Sequence, residues 1–162
     1  MNSFFRFKYR GLYAGEYPVD LQADAAELEM PRFFGDVTAK GIVKIAEQLH
    51  FKLALQGTGN FICDRCGREF IGTVNGELDV NFVPPGLDNE VVDDVFVHVY
   101  DPVKSAEVDL TVDIRDSLLL AIPMKLICGP DCPGFKQLEF EPEETENISR
   151  LRKLMEKMKG EE

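Results

Sequence analysis

Ile42-Val43-Lys44-Ile45-Ala46, Phe51-Lys52-Leu53-Ala54-Leu55, Phe70-Ile71-Gly72-Thr73-Val74 and Leu78-Asp79-Val80-Asn81-Phe82 follow one another between Gly41 and Phe82. Each run is short, rich in apolar and β-branched residues, and bounded by Gly, Asn or charged residues, which reads as a strand. Gly57-Thr58-Gly59-Asn60 and Asn75-Gly76 read as turns between them, Asn-Gly being a favoured hairpin dipeptide. Strands joined by short turns pair antiparallel, so the stretch predicts an antiparallel sheet.

Towards the N-terminus, Phe5, Phe7 and Tyr9 alternate with Arg6, Lys8 and Arg10, the mark of a strand with one buried face. Gly11 ends it, and Tyr13 to Val19 continue as a second extended piece. Residues 22–29 favour helix by propensity and are closed by Pro31.

Towards the C-terminus, Pro84-Pro85-Gly86 breaks the strands, and Asp88, Glu90, Asp93 and Asp94 mark an acidic loop before a further strand over 95–99. Thr111 reads as a helix N-cap, with Asp113 and Asp116 early, where the helix dipole favours acids. Ile114, Leu118, Ala121 and Ile122 form one helical stripe that Pro123 stops, so this helix packs on the sheet. Pro142 sits in an acidic stretch, and Ile148, Leu151, Leu154, Met155 and Met158 space out a short amphipathic helix. The expected class is α+β: mainly antiparallel β with one packed helix, a C-terminal helix and a zinc-knuckle-like four-Cys site. The expected organisation is one domain over 1–136, an acidic linker over 137–147 and the amphipathic helix over 148–162.

The chain has 162 residues and is 44 % apolar, enough to bury a core. Its 18 Lys and Arg against 29 Asp and Glu leave a net charge of -11. That charge disfavours broad binding of naked nucleic acid and suits a basic partner. No apolar run approaches the ~20 residues that span a bilayer, and Met1 to Arg10 lacks the apolar stretch of a secretory signal. The expected compartment is therefore the cytoplasm.

Four cysteines in a reducing compartment do not make a disulfide framework. They fall in two close pairs, Cys63/Cys66 and Cys128/Cys132, which points to one metal ion, zinc being the natural guest of four thiolates. Gly67 directly after Cys66 supplies the positive φ that a knuckle needs, and strand-like flanks put the first pair at a hairpin tip. A redox pair would want a helix start, and Gly67 to Gly72 is a poor helix. Reduced structural thiols are the other alternative. His50 and His98 sit in strand-like runs away from the cysteines and read as ordinary strand histidines.

Cys63-Asp64-Arg65-Cys66, the Asp109-Leu110 helix start, the segment Leu118-Leu119-Leu120-Ala121-Ile122-Pro123-Met124 and the tail Cys128 to Gly134 occur in an order that resembles the YceD family. The resemblance spans roughly residues 35 to 135. It departs where many relatives carry a further Cys-x-x-Cys-Gly element, here Phe135-Lys136-Gln137-Leu138. It implies a part in accumulation or processing of large-subunit ribosomal RNA, through a large-subunit precursor or a basic ribosomal protein. An indirect contact with the RNA is compatible with it.

Arg6, Lys8 and Arg10 make the one local basic stripe, open to RNA phosphate. The preferred reading is a charged solvent face guarding an edge strand. No nucleophile triad, phosphate loop or zincin motif is present, and a four-thiolate site has no open position for water, so no enzyme is expected. The alternative function is a zinc-stabilised protein-interaction adaptor unrelated to ribosomes.

Overall fold

The computed structural model describes residues 5–86 and 96–134. The expected acidic loop over 88–94, linker over 137–147 and helix over 148–162 lie outside the described residues. The elements are β1 (Arg6–Lys8), β2 (Gly15–Asp24), β3 (Phe33–Ile45), β4 (Leu49–Ile62), β5 (Glu69–Val83), β6 (Phe96–Val99), β7 (Glu107–Asp109) and α1 (Thr111–Leu120). β2 to β6 form a five-stranded sheet in sequence order, antiparallel except for the parallel β5–β6 pair. β1 and β7 form a separate antiparallel ribbon.

Strict alternation along β4 puts Leu49, Phe51, Leu53, Leu55 and Phe61 inside, and their even-numbered neighbours outside. β3 and β5 follow through Ala39, Val43, Val74, Leu78 and Val80. The core lies between this inner face, α1 and the β1–β7 ribbon. Phe5 is fully buried, and Phe7 meets Phe51 edge-on with ring centroids 5.4 Å apart. The expected inward face of Phe5, Phe7 and Tyr9 is present.

Three expectations are corrected. The glycine-rich runs at 57–60 and 75–76 are not turns but lie inside β4 and β5, with Gln56 opposite Asn75 and Gly57 opposite Val74. The glycines are there for space. A Cβ on Gly57 would stand 2.7 Å from Leu118 Cδ2, and one on Gly76 would stand 3.2 Å from Ala121 Cβ. Helix α1 thus presses onto the strands where side chains are missing.

Residues 22–29 are not helical. β2 runs through Asp24, Ala25 to Glu29 are turns, and Ala25 N–H donates to the Gly35 carbonyl at 2.8 Å. Ala23, Ala25, Leu28 and Met30 are all buried, so core burial outweighs a weak local helix preference.

Thr111 is the first helical residue rather than the cap. Leu110 holds the cap position without a side-chain bond, and Asp109 Oδ1 accepts the Thr111 amide at 2.9 Å. The Thr111 hydroxyl instead accepts the Phe5 amide at 3.1 Å, tying the N-terminal ribbon to the helix start. The expected buried stripe is present: Ile114 and Leu118 are fully buried, and Ala121 and Ile122 pack against the core.

Candidate metal centre

β4 and β5 stay paired from Leu49↔Phe82 to Ile62↔Glu69, and the chain reverses between them at Cys63 to Arg68. The first cysteine pair therefore sits at the tip of a hairpin. Cys63 N–H donates to the Arg68 carbonyl at 2.9 Å, and Gly67 N–H donates to the Cys63 carbonyl at 2.8 Å. Gly67 has φ 72, the left-handed conformation its residue type permits.

The second pair reaches this tip through the chain that leaves α1. Asp64 and Leu126 lock together twice. Asp64 N–H donates to the Leu126 carbonyl at 2.8 Å, and Leu126 N–H donates to Asp64 Oδ2 at 2.7 Å. Cys128 N–H then reaches Cys63 Sγ at 3.4 Å, and Cys132 N–H donates to the Gly129 carbonyl at 3.3 Å.

The four sulfurs all lie within 4.8 Å of one another, so Cys63, Cys66, Cys128 and Cys132 can hold a metal ion. Cys63 Sγ is 3.7 Å from Cys132 Sγ, and Cys66 Sγ is 3.8 Å from Cys128 Sγ. These are too long for sulfur–sulfur bonds of ~2.05 Å. They match the edge of about 3.8 Å expected for a tetrahedron with ~2.3 Å metal–sulfur bonds. The donor set and its spacing fit zinc.

The surroundings favour at least one thiolate. Burial pushes the Cys63 thiol up, but amide donors from Cys128, Arg65 and Cys66 outweigh it and bring the thiol down to about 6. Cys66 is drawn down by the Arg68 backbone and side chain, against a smaller effect of burial. Cys128 is pushed up to about 12 by its hydrogen bond to Cys132, then by burial and the other two thiols. Clustered thiols titrate jointly, so ionising one holds back the next. A divalent cation removes that conflict by taking all four as thiolates.

The histidines stay apart from the cluster. His50 Nε2 meets Asp79 Oδ1 at 2.6 Å on the outer sheet face, and His98 Nε2 meets Asp113 Oδ1 at 2.7 Å between β6 and α1. Asp64 is the functional residue that sequence reasoning missed. Its partner lies 62 residues away, and no local signal marks the pairing.

A protein-family model, described as large ribosomal RNA subunit accumulation protein YceD, matches residues 51–159. That is two thirds of the chain, and it takes in all four cysteines. The chain belongs to the YceD family. The match starts later than the resemblance read from sequence and continues further, through the acidic and amphipathic segments. No curated protein and no solved structure matches the chain significantly. The YceD family is named for accumulation of large-subunit ribosomal RNA. Among the described residues, no helix is long and apolar enough to cross a membrane.

Proposed function

We propose that this protein is a non-catalytic cytoplasmic factor of ribosome biogenesis, supporting accumulation or processing of large-subunit ribosomal RNA on a precursor particle. The family match over residues 51–159 carries the reading. One zinc ion, held by Cys63, Cys66, Cys128 and Cys132, is its structural clip. Four thiolates close a tetrahedron and leave no position for a reacting water, which supports a structural rather than a catalytic ion. The net charge of -11 favours docking to a basic ribosomal protein, with RNA contact secondary.

Removing the protein from its host should lower large-subunit ribosomal RNA more than small-subunit RNA, and the tagged protein should co-sediment with large-subunit precursors. Equal loss of both RNAs would overturn the reading.

A further inference from the structure

Helix α1 is covered on one side only. Ile114 and Leu118 are fully buried, while Leu119 and the 79 %-exposed Leu120 stand in solvent. The chain then runs on to the metal end with Met124 fully exposed and Ile127 half-exposed. Four large apolar side chains are thus left in solvent within nine successive residues, Leu119 to Ile127. Apolar residues scattered singly over a surface are ordinary, whereas such a run marks a contact. Ala121, adjoining Leu120, also lines an open groove of about 630 Å³ with Leu55, Gly76 and Glu77. The groove's lysine, Lys40, is paired with Asp20 at 3.1 Å. Glu77 makes no ion pair among the described residues.

A segment of matching pattern is tethered nearby. Ile148, Leu151, Leu154, Met155 and Met158 fall at i, i+3, i+6, i+7 and i+10, one face of a helix. Between Ile148 and Lys159, five cations (Arg150, Arg152, Lys153, Lys157 and Lys159) stand against a single acid, Glu156. This segment is therefore +4 in a chain of net charge -11, which leaves -15 on the remainder. Long-range attraction draws such a segment to its own chain. The tether is long enough. The described residues end at Gly134, beside the Arg65 carbonyl at the metal end. The 13 residues from 135 to 147 reach about 45 Å when extended. Ten residues can separate Met124 from Gly134 by no more than about 36 Å.

We propose that residues 148–159 lie as a helix over the apolar strip from Leu119 to Ile127 of the same chain. Their Leu and Met side chains cover Leu120 and Met124, the thioethers adapting to an irregular seat. A Lys or Arg flanking that apolar face meets Glu77. A partner reaching the strip then competes with a tethered occupant at an effective concentration on the order of 1 mM. This contact is independent of the ribosomal role.

The test is amide hydrogen exchange of the full-length, zinc-loaded chain, resolved over residues 148–159. In the wild type these amides should exchange at least about tenfold more slowly than in an unstructured peptide. Leu120→Ser combined with Met124→Ser should abolish that protection, and so should Leu151→Ser combined with Met155→Ser. Zinc content and protection of the β3–β4 amides should stay at wild-type values in both, showing an intact body. Ile42→Ser, on the outer sheet face, should leave residues 148–159 protected. Benzoylphenylalanine in place of Met124 should capture, on irradiation, a peptide of 148–159 from its own chain. Free-peptide exchange in the wild type would overturn the proposal. So would protection that survives Leu120→Ser with Met124→Ser, which would seat the segment elsewhere. Capture between isotopically light and heavy chains would assign the strip to a second copy and overturn the contact within one chain.

Discussion

One ladder, β4 against β5, runs through two regions held together in different ways. At the end near Leu49 and Phe82 its inner face is covered, with Phe51 edge-on to Phe7 and Phe82, and midway along the ladder the fully buried Leu118 of α1 closes over Gly57. At the other end the apolar cover thins to Phe61 with Phe33 and Phe70, and then to the thiols. On the outer face there, Ile62 and Ile71 are 61 % and 70 % exposed. The sheet body is stabilised by burial, whereas the tip has little apolar area to bury, and a metal ion on its four thiols would crosslink its distant segments. A small region without a core of its own needs such a staple.

Removing the staple should separate the regions most sharply. Cys66→Ser should abolish stoichiometric zinc and lower Tm by about 10 °C or more. Hydrogen exchange should then rise over 62–69 and 124–134 while the β3–β4 amides stay protected. Metal analysis with cobalt substitution reports the thiolate ligation, and a metal-free wild type of full stability would refute the staple.

Attacking the body should spread further. Leu118 is fully buried, so Leu118→Ala should destabilise by about 2–5 kcal/mol in denaturant titration without releasing zinc. A change within about 0.5 kcal/mol would mean that the helix does not close the core.

Gly57→Ala sharpens the same boundary, because its new Cβ would stand 2.7 Å from Leu118 Cδ2 and 3.0 Å from Phe33 Cδ1. The expected loss is about 1–3 kcal/mol. It should shrink in a Leu118→Ala background, since the two sites share one space. Additive losses would show that the glycine serves something other than helix approach.

The smallest effect belongs to the surface. Arg6 and Glu107 are 49 % and 30 % exposed, so Arg6→Ala should change stability by less than about 1 kcal/mol.

Much of both regions was legible because it was local. Alternation over Phe51 to Leu55 and Leu78 to Phe82 named the buried faces, since successive side chains of a strand point to opposite sides. The Cys63/Cys66 and Cys128/Cys132 spacings named the thiol cluster, since two sulfurs a few residues apart serve one ion only around a tight turn. The glycines were misread for the complementary reason. A glycine that reverses the chain and one that admits another segment look alike in sequence, and only the arrival of α1 distinguishes them.

The amino-acid sequence by itself determined the strand faces, the helix stripe, the paired thiols and the family, all carried by residues close together along the chain. Tertiary structure alone decided that β4 and β5 run unbroken past their glycines and that β6 joins parallel. It also decided that Asp64 clasps Leu126, and that Arg32 comes to share a cleft with Asp64 and Glu69. Each of these depends on which distant segments share space once the core has closed. That is settled by packing and by the hydrogen bonds packing permits, and a local run of residues does not carry it.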